Sequence, residues 1–305
     1  MSSLEHDRIV KLIKTKGPCT GLEIKKEIDI DSLVIWKTCQ TSEVLQVRTL
    51  GKRYLRLDRR VEGFARLSPS ILREFFTYSV VGLTYDLYPF EQKCAQLIDR
   101  IHDISTFKFE LARKMVSEVM DEFDDEELKR HDICFLIAGD IVYDMAHDVP
   151  RPERSTGRLV RGSDIDLVVI VEDKLSDTSI SRLDKLIYQK KYRMLINPAI
   201  NEEVDYKIKR LGLIKEQSSF NEFKNMVAMK ILQEGLLLFG SENLFRAVKG
   251  IVEENGIPEK INKLEGLAER FRNKAESAIL NNSLDKKKIR EMHLFYSAEE
   301  FEEFE

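Results

Sequence analysis

The sequence predicts an α+β protein, and three observations support that class. Apolar residues recur at helical spacing in residues 5–16 and again across much of residues 68–131. Residues 133–138 and 165–171 are short apolar stretches rich in β-branched side chains, which predict buried strands. A third region, residues 44–57, alternates polar and apolar residues in the manner of strands. At 305 residues, the chain is long enough for two or three domains.

The composition is that of an ordinary soluble globular protein, with 43% hydrophobic and 33% charged residues. No apolar run approaches the roughly 20 residues that a membrane span needs. The first residues lack the basic and apolar regions of a signal peptide. The four cysteines are scattered without a Cys-x-x-Cys pair, which favours reduced thiols over disulfides or a zinc site. We therefore expect a cytoplasmic protein without a membrane partner.

Residues 1–62 form a basic segment with its own pattern. Residues 1–60 contain 13 Lys and Arg against 8 Asp and Glu. The spacing predicts helices over residues 5–16, over 21–28 with Thr20 as N-cap, and over 31–41. Residues 44–48 and 53–57 are then predicted to pair as a hairpin that turns at Gly51.

Three short helices followed by a basic hairpin resemble a winged helix-turn-helix. The resemblance implies that the third helix faces a major groove of DNA or RNA and that the hairpin is the wing. The alternatives are that this segment contacts a protein or only packs on its neighbour. The predicted nucleic-acid contacts are Lys37, Arg48, Lys52, Arg53 and Arg56.

Residues 63–130 are predicted to be a helical connector, which either bridges domains or forms a homodimer surface. Its acidic end, residues 121–127, is interpreted as a solvated helix terminus, with a domain boundary near His131. The segment over residues 131–245, which contains the strands predicted at 133–138 and 165–171, is expected to form a separate core. Residues 246–305 are predicted to be helical and to end, from Ser297 onward, in a solvated acidic tail that contains Phe301 and Phe304.

The most informative motif is Asp164-Ile-Asp166, at the start of the strand predicted over residues 165–171. Alternate side chains of a strand point to the same side, so the two carboxylates lie close together and repel each other. A divalent cation relieves that repulsion, and hard carboxylate oxygens suit Mg²⁺. The alternative interpretation is two exposed aspartates at a strand start.

Two flanking features suit phosphate chemistry. The strand predicted over residues 133–138 runs into Gly139-Asp140 and a predicted helix over 141–146, whose first amides would face a phosphate. An arginine-rich stretch, residues 151–161, contributes Arg158 and Arg161 as candidate phosphate contacts. Downstream, Asp205 lies in a further short strand over residues 204–208 and is a candidate third carboxylate.

Gly139-Asp140, then Gly162-Ser163-Asp164-Ile-Asp166, then Asp205 resemble the polymerase-β-type nucleotidyltransferase superfamily, over residues 133–243. Residues 229–242 also resemble the helix and the loop that follow this core in many members. That resemblance implies a mixed sheet on which Asp164, Asp166 and Asp205 hold two Mg²⁺ ions. It also implies that Asp205 acts as general base, and that Gly139, Asp140 and Ser163 bind the nucleoside triphosphate, for example ATP. The chain departs from the family pattern in having Asp140 where the family has serine, and in the longer gap before Asp164.

The predicted function is Mg²⁺-dependent transfer of a nucleoside monophosphate to an acceptor hydroxyl, with tRNA or another nucleic acid as a candidate acceptor. A nucleotide-sensing DNA-binding regulator with an impaired transferase domain is the alternative, and Asp140 favours it. A glycosyltransferase that uses Asp-x-Asp with a sugar nucleotide is a third interpretation. The glycine turn before the motif and the aspartate after it disfavour that third interpretation.

Overall fold

A computed structural model describes residues 3–123, 132–153, 156–297 and 300. The chain forms two compact units. Unit 1 combines residues 1–100 with residues 263–305, and unit 2 consists of residues 101–262. Contacts therefore group the N-terminal and C-terminal segments of the chain into one unit. The sequence-based domain boundaries at residues 62, 130 and 245 stay predictions.

The α+β class is confirmed by the elements of the described chain. The helices are α1 (Ser3–Lys16), α2 (Gly21–Glu27), α3 (Ser32–Thr41), α4 (Ile71–Tyr78), α5 (Leu87–Glu122), α6 (Asp177–Ile196), α7 (Leu211–Gln217), α8 (Phe223–Glu234), α9 (Glu242–Glu254), α10 (Ile257–Leu280) and α11 (Lys286–Glu291). The strands are β1 (Cys19–Thr20), β2 (Leu45–Thr49), β3 (Tyr54–Leu57), β4 (Ala65–Ser68), β5 (Ser79–Leu83), β6 (Ile133–Ala138), β7 (Pro150–Pro152), β8 (Leu159–Arg161), β9 (Ile165–Val171), β10 (Val204–Arg210) and β11 (Leu236–Gly240).

The three N-terminal helices of unit 1 are confirmed, and two of them start at recognisable caps. Thr20 accepts a hydrogen bond from the Glu23 backbone N–H, and the Glu23 carboxylate accepts one from the Thr20 backbone N–H. This capping box satisfies two donors that a helix start otherwise leaves unpaired. Asp31 caps α3 by accepting from two backbone N–H groups. Local side chains therefore fix both helix starts.

The predicted hairpin about Gly51 is wrong, although both of its strands exist. β2 pairs antiparallel with β5, and β3 pairs antiparallel with β4. Leu50 explains the divergence, because its side chain is buried against Val80, Phe90 and Cys94 and its backbone N–H donates to Tyr78. Burial of Leu50 beside β5 draws the chain away from a tight turn. The sheet order of unit 1 is therefore β1-β5-β2.

The prediction of a helical connector over residues 63–130 is also wrong at two points, because β4 and β5 are strands. Val80 and Val81 belong to the central strand β5, between α4 and the 36-residue helix α5. Both valines are fully buried, and β-branched residues suit such a position. Most of the acidic run, and the boundary predicted at His131, fall in residues 124–131, outside the described residues.

The C-terminal segment completes the core of unit 1. Phe295 is buried edge-on against Trp36, with ring centroids 5.6 Å apart. Ala275, Ile279 and Ile289 join the same apolar cluster as α1 to α4. The tail was predicted to be solvated, yet Ser297 and Glu300 are buried. Phe301 and Phe304 lie outside the described residues.

The Glu300 carboxylate sits in a cationic recess. It accepts a hydrogen bond from the Ser297 backbone N–H at 2.7 Å and lies 3.4 Å from Arg73 Nε. Burial opposes ionisation, but the charges of Arg73 and Arg66 and the Ser297 N–H outweigh it. Together they lower the pKa of Glu300 from 4.5 to about 2.

This depressed pKa makes the stability of unit 1 pH-dependent. We expect Glu300→Gln to lower the free energy of unfolding by about 3 kcal/mol at pH 7. The stabilisation by Glu300 is fully present above pH 4.5 and is lost as the pH falls towards 2, so wild type and variant should converge there. Urea unfolding followed by the fluorescence of Trp36, the one tryptophan, measures it. The exposed Glu43→Gln is the control, and equal losses for both variants at pH 7 would contradict the prediction.

Unit 2 is built on a mixed four-stranded sheet with the order β10-β9-β6-β11. β10 runs parallel to β9, and β6 runs antiparallel to both β9 and β11. Every residue of β6 is buried, as is every residue of β9 except Asp166. Apolar side chains of α5 and α6 pack against the same cluster as these strands. The predicted strands at 133–138 and 165–171 are thus confirmed.

Two local predictions in unit 2 need correction. The helix predicted over residues 141–146 is instead a short 3₁₀ turn, Gly139–Tyr143, which ends at Asp144 in the left-handed conformation. Residues 236–240, predicted as a loop, form strand β11, because Leu236–Gly240 pairs with the buried strand β6. Among the described residues, no helix has the length and apolarity that crossing a bilayer requires.

Candidate metal centre

Two acid-apolar-acid triplets lie side by side at one end of the unit 2 sheet. Asp164-Ile-Asp166 begins β9, and Glu203-Val-Asp205 begins β10. The parallel register pairs Ile165 with Val204 and Asp166 with Asp205, and the Ile165 backbone N–H donates to the Glu203 carbonyl at 2.9 Å. Because alternate side chains share a side of a strand, the register brings the acids of both triplets together.

Three of these carboxylates form a tight cluster. Asp164, Glu203 and Asp205 each offer one oxygen, and these oxygens lie within 4.8 Å of one another. Asp205 is exposed, and the other two are partly buried. Burial, with the nearby charge of Asp205, raises the pKa of Glu203, although Arg151 opposes the shift. The cluster therefore concentrates negative charge at the sheet end.

Arg151 supplies a cation to this cluster. Its Nη2 forms ion pairs with Asp164 and with Glu203, the latter at 2.9 Å. Its Nε donates to the Gly162 carbonyl at 2.7 Å, so the guanidinium is held by the turn before β9. On the other side, Lys191 Nζ lies 2.9 Å from Asp205. In this arrangement, basic side chains neutralise part of the acidic charge.

The Asp166 carboxylate lies against the glycine turn. A Cβ built on Gly139 would lie 2.3 Å from Asp166 Oδ2, and Gly139 has a φ of +72°. Only glycine meets both conditions without strain. Gly139 therefore allows the Asp166 carboxylate to lie against the turn that follows β6.

The amide of Gly139 and the Asp140 side chain are engaged within the protein. Gly139 N–H donates to Glu234 Oε1 at 3.3 Å, and the same carboxylate accepts from the Tyr143 hydroxyl at 2.6 Å and pairs with Lys230. The Ser163 hydroxyl donates to Asp140 Oδ2 at 2.7 Å. The Glu234 carboxylate thus accepts a hydrogen bond from the first amide of the turn, where we predicted a bound phosphate.

Lys108 holds the loop that leads into the first triplet. Its ammonium is 1% exposed and donates to the carbonyls of Arg161 and Ser163 at 2.6 and 2.9 Å. It also pairs with the buried Glu202, next to the second triplet. Burial lowers the pKa of Lys108, and Glu202 opposes that shift. Both triplets are therefore anchored to one buried cation.

The structure brings together some of the predicted site residues and separates others. Asp164 and Asp205 meet in the cluster, with Asp166 and Gly139 beside it. Arg158 and Arg161 are exposed on the β7–β8 hairpin, and Arg151, from its first strand, reaches the carboxylates instead. Glu203 was also missed. Its signal in the sequence is the second acid-apolar-acid triplet.

The basic residues predicted to contact nucleic acid are largely engaged within unit 1. Lys37 donates to the Ile279 carbonyl at 2.7 Å and to Asn282. Arg48 forms a bidentate pair with Glu91. Arg53 forms a bidentate pair with Glu74. Lys52 and Arg56 are exposed.

The donor set fits a hard divalent cation. Carboxylate oxygens are the ligands that Mg²⁺ and Mn²⁺ prefer, and three of them converge here from two adjacent strands. Asp164 and Glu203 can bind an ion only when the Arg151 guanidinium has moved away from them.

No model of a known protein family matches this chain, and no curated protein and no solved structure matches it either.

Proposed function

We propose that this chain is a Mg²⁺-dependent nucleotidyltransferase that transfers a nucleoside monophosphate from a triphosphate to an acceptor hydroxyl. The observation that carries the proposal is the in-register pairing of Asp164-Ile-Asp166 with Glu203-Val-Asp205 on parallel strands. It brings Asp205 onto the strand beside the Asp-x-Asp motif, as the resemblance to polymerase-β-type enzymes implies. Glu203 adds a carboxylate that the resemblance did not include.

Each residue has a distinct role in this proposal. Asp164, Asp166 and Asp205 would hold the metal, with Glu203 as a further ligand. Bound Mg²⁺ supplies charge neutralisation for the leaving pyrophosphate and lowers the pKa of the acceptor hydroxyl. Asp205 is exposed and accepts the proton of that hydroxyl. Arg151, once released from Asp164, can bind a phosphate oxygen, because a guanidinium donates to phosphate in bidentate fashion.

The proposal is tested with purified full-length protein, Mg²⁺, each of the four ribonucleoside triphosphates in labelled form, and total cellular RNA or protein. We expect release of pyrophosphate and label in one acceptor pool, both abolished by a chelator. Label in RNA identifies a nucleic acid as acceptor, and label in protein identifies a polypeptide. Absence of pyrophosphate release with every triphosphate and acceptor would overturn the proposal.

A second candidate function is a nucleotide-sensing, DNA-binding regulator. The Glu234 carboxylate on Gly139 N–H favours it, because a triphosphate must displace this carboxylate before it can bind that amide. The three helices and the antiparallel sheet β1-β5-β2, whose strand β1 lies between α1 and α2, also support the winged-helix resemblance. Residues 50–78 are inserted where the wing is expected. Triphosphate binding without turnover, measured by calorimetry in the same mixtures, would favour this candidate.

The intramolecular contacts of the basic residues bear on the role of unit 1. Lys37 on α3 is tied to the end of α10, and Arg48 and Arg53 are each neutralised by a carboxylate. Sequence readout needs free side chains on the helix that enters the groove. Of the roles considered for this segment, the contacts therefore favour packing or protein binding over base recognition.

A prediction about metal affinity follows from the position of Arg151. We expect Arg151→Gln to bind Mn²⁺ about tenfold more tightly than wild type, because the ion no longer competes with a guanidinium for Asp164 and Glu203. Electron paramagnetic resonance of free Mn²⁺ measures the affinity. Arg158→Gln, an exposed arginine of the same hairpin, is the matched control. Equal or weaker binding by Arg151→Gln would show that the guanidinium does not compete with the metal.

A further inference from the structure

Unit 1 contains a cavity of about 530 Å³ that the proposed function does not use. Its walls come from three separate parts of the chain: the segment around Val61, the α10 face with Phe271 and Ala275, and the C-terminal segment with Leu284 and Met292. The volume lies within the range of roughly 300–1,000 Å³ that is typical of small-molecule sites. The cavity therefore has the size and the apolar lining of a ligand pocket.

The lining also includes exposed charged side chains. Arg60, Lys274 and Lys288 are cations in this lining, and Glu62 and Glu291 are the acids. Glu291 has Lys287 as an ion-pair partner at 3.9 Å. None of the three lining cations forms an ion pair within the described part of the chain, whereas Arg48, Arg53 and Arg272 of the same unit are all paired. The cavity thus combines an apolar interior with a surplus of unpaired positive charge.

We propose that this cavity binds an amphipathic carboxylate, with the apolar body inside and the carboxylate against the cations. The apolar walls offer burial to a hydrocarbon chain or an aromatic ring. Three cations against two acids give a net charge of +1, which matches a monoanion better than a phosphate dianion. A neutral ligand would form no ion pair with the surplus cations, and a cationic ligand would be repelled by them.

The position of the cavity links its occupancy to the stability of unit 1. Val61, Ala275 and Leu294 belong both to the lining and to the main apolar cluster of the unit. Phe271, Leu284 and Met292 pack against that cluster. A ligand that binds the folded state in this place stabilises it by mass action, so unit 1 should unfold at a higher temperature when the ligand is bound.

The test uses the full-length chain and three probes with the same ten-carbon body: decanoate, decanol and decyltrimethylammonium. Calorimetry measures binding, and Trp36 fluorescence follows thermal unfolding of unit 1. We expect decanoate to bind and to raise the unfolding temperature, and decanol to bind at least about tenfold more weakly. The ammonium compound should bind more weakly still. Equal binding of decanoate and decanol, or no binding of decanoate, would overturn the proposal.

Charge-reversal variants locate the site. Lys274→Glu combined with Lys288→Glu should weaken decanoate binding about tenfold or more and leave decanol binding unchanged. Lys14→Glu combined with Lys26→Glu is the control, because it makes the same charge change on exposed lysines outside the cavity lining. Ala278→Leu, which adds bulk to the lining, should weaken both probes. If the two double variants weaken decanoate equally, the carboxylate does not bind at this cavity.

Discussion

Replacement of Asp166 by alanine is expected to lower Mg²⁺-dependent pyrophosphate release at least about a thousandfold. Asp166 lies opposite Asp205 on the neighbouring strand and against Gly139, where the two acidic triplets and the glycine turn meet. A methyl group there removes a carboxylate that we propose as a metal ligand, and it leaves the backbone register untouched. An enzyme-coupled pyrophosphate assay measures the effect.

The control for Asp166→Ala is Asp103→Ala, an exposed aspartate of the same unit on α5. Its activity should equal that of wild type. Both variants should keep the wild-type circular dichroism spectrum and unfolding temperature, because Asp166 is the partly exposed residue of an otherwise buried strand. Full activity in a folded Asp166→Ala protein would exclude the proposed metal centre as the site of the reaction.

The second large effect is expected at Arg272, which is 1% exposed in unit 1. Its guanidinium lies 3.0 Å from Glu74 Oε1 and 2.5 Å from Glu276 Oε1, and it donates to the Pro69 carbonyl at 2.8 Å. Arg272→Met keeps much of the side-chain volume but leaves the buried Glu74 carboxylate with one cation, Arg53, in place of two. It also removes the donor of the Pro69 carbonyl. We expect the free energy of unfolding to fall by about 3–5 kcal/mol.

Urea unfolding followed by Trp36 fluorescence measures this loss. Arg270→Met is the matched control, because it makes the same change on an exposed arginine two residues away on the same helix. It should change the free energy of unfolding by less than about 0.5 kcal/mol. Combining Arg272→Met with Glu74→Gln should recover part of the loss, since the buried acid that has lost one of its two cations is then uncharged. A loss as small as that of the control would show that the buried ion pairs of Arg272 do not stabilise unit 1.

Patterns within a segment could be predicted from the sequence, and pairings between segments could not. β9 and β6 were recognised because six of the seven residues of β9 and all six residues of β6 are apolar. The hairpin about Gly51 failed because its strands found partners up to 38 residues away, such as Leu83 for Leu45. Burial of Leu50 decides between these pairings, and that burial depends on Phe90 in a helix much further along the chain.

The candidate site shows the same limit. The three aspartates were recognised from their positions relative to predicted strands. Asp164 precedes the apolar strand of residues 165–171, Asp166 interrupts it, and Asp205 lies in the short strand of residues 204–208. Glu203 acquires its place only through the parallel register of β9 and β10, which no local pattern specifies. Arg151 was passed over for Arg158 and Arg161, since the hairpin that brings it to Asp164 pairs residues up to eleven positions apart.

Unit 1 is assembled from the two ends of the chain, and this affects how the protein is made on the ribosome. Trp36 is synthesised early, but its partner Phe295 and the walls from α10 follow only after all of unit 2. At 5–20 residues per second, the intervening residues take on the order of ten seconds or more to synthesise. During that interval the apolar faces of α1 to α3 lack their C-terminal covering, while unit 2 is continuous in sequence and can fold first. The apolar faces of the nascent N-terminal segment thus stay uncovered until the C-terminal segment has been made.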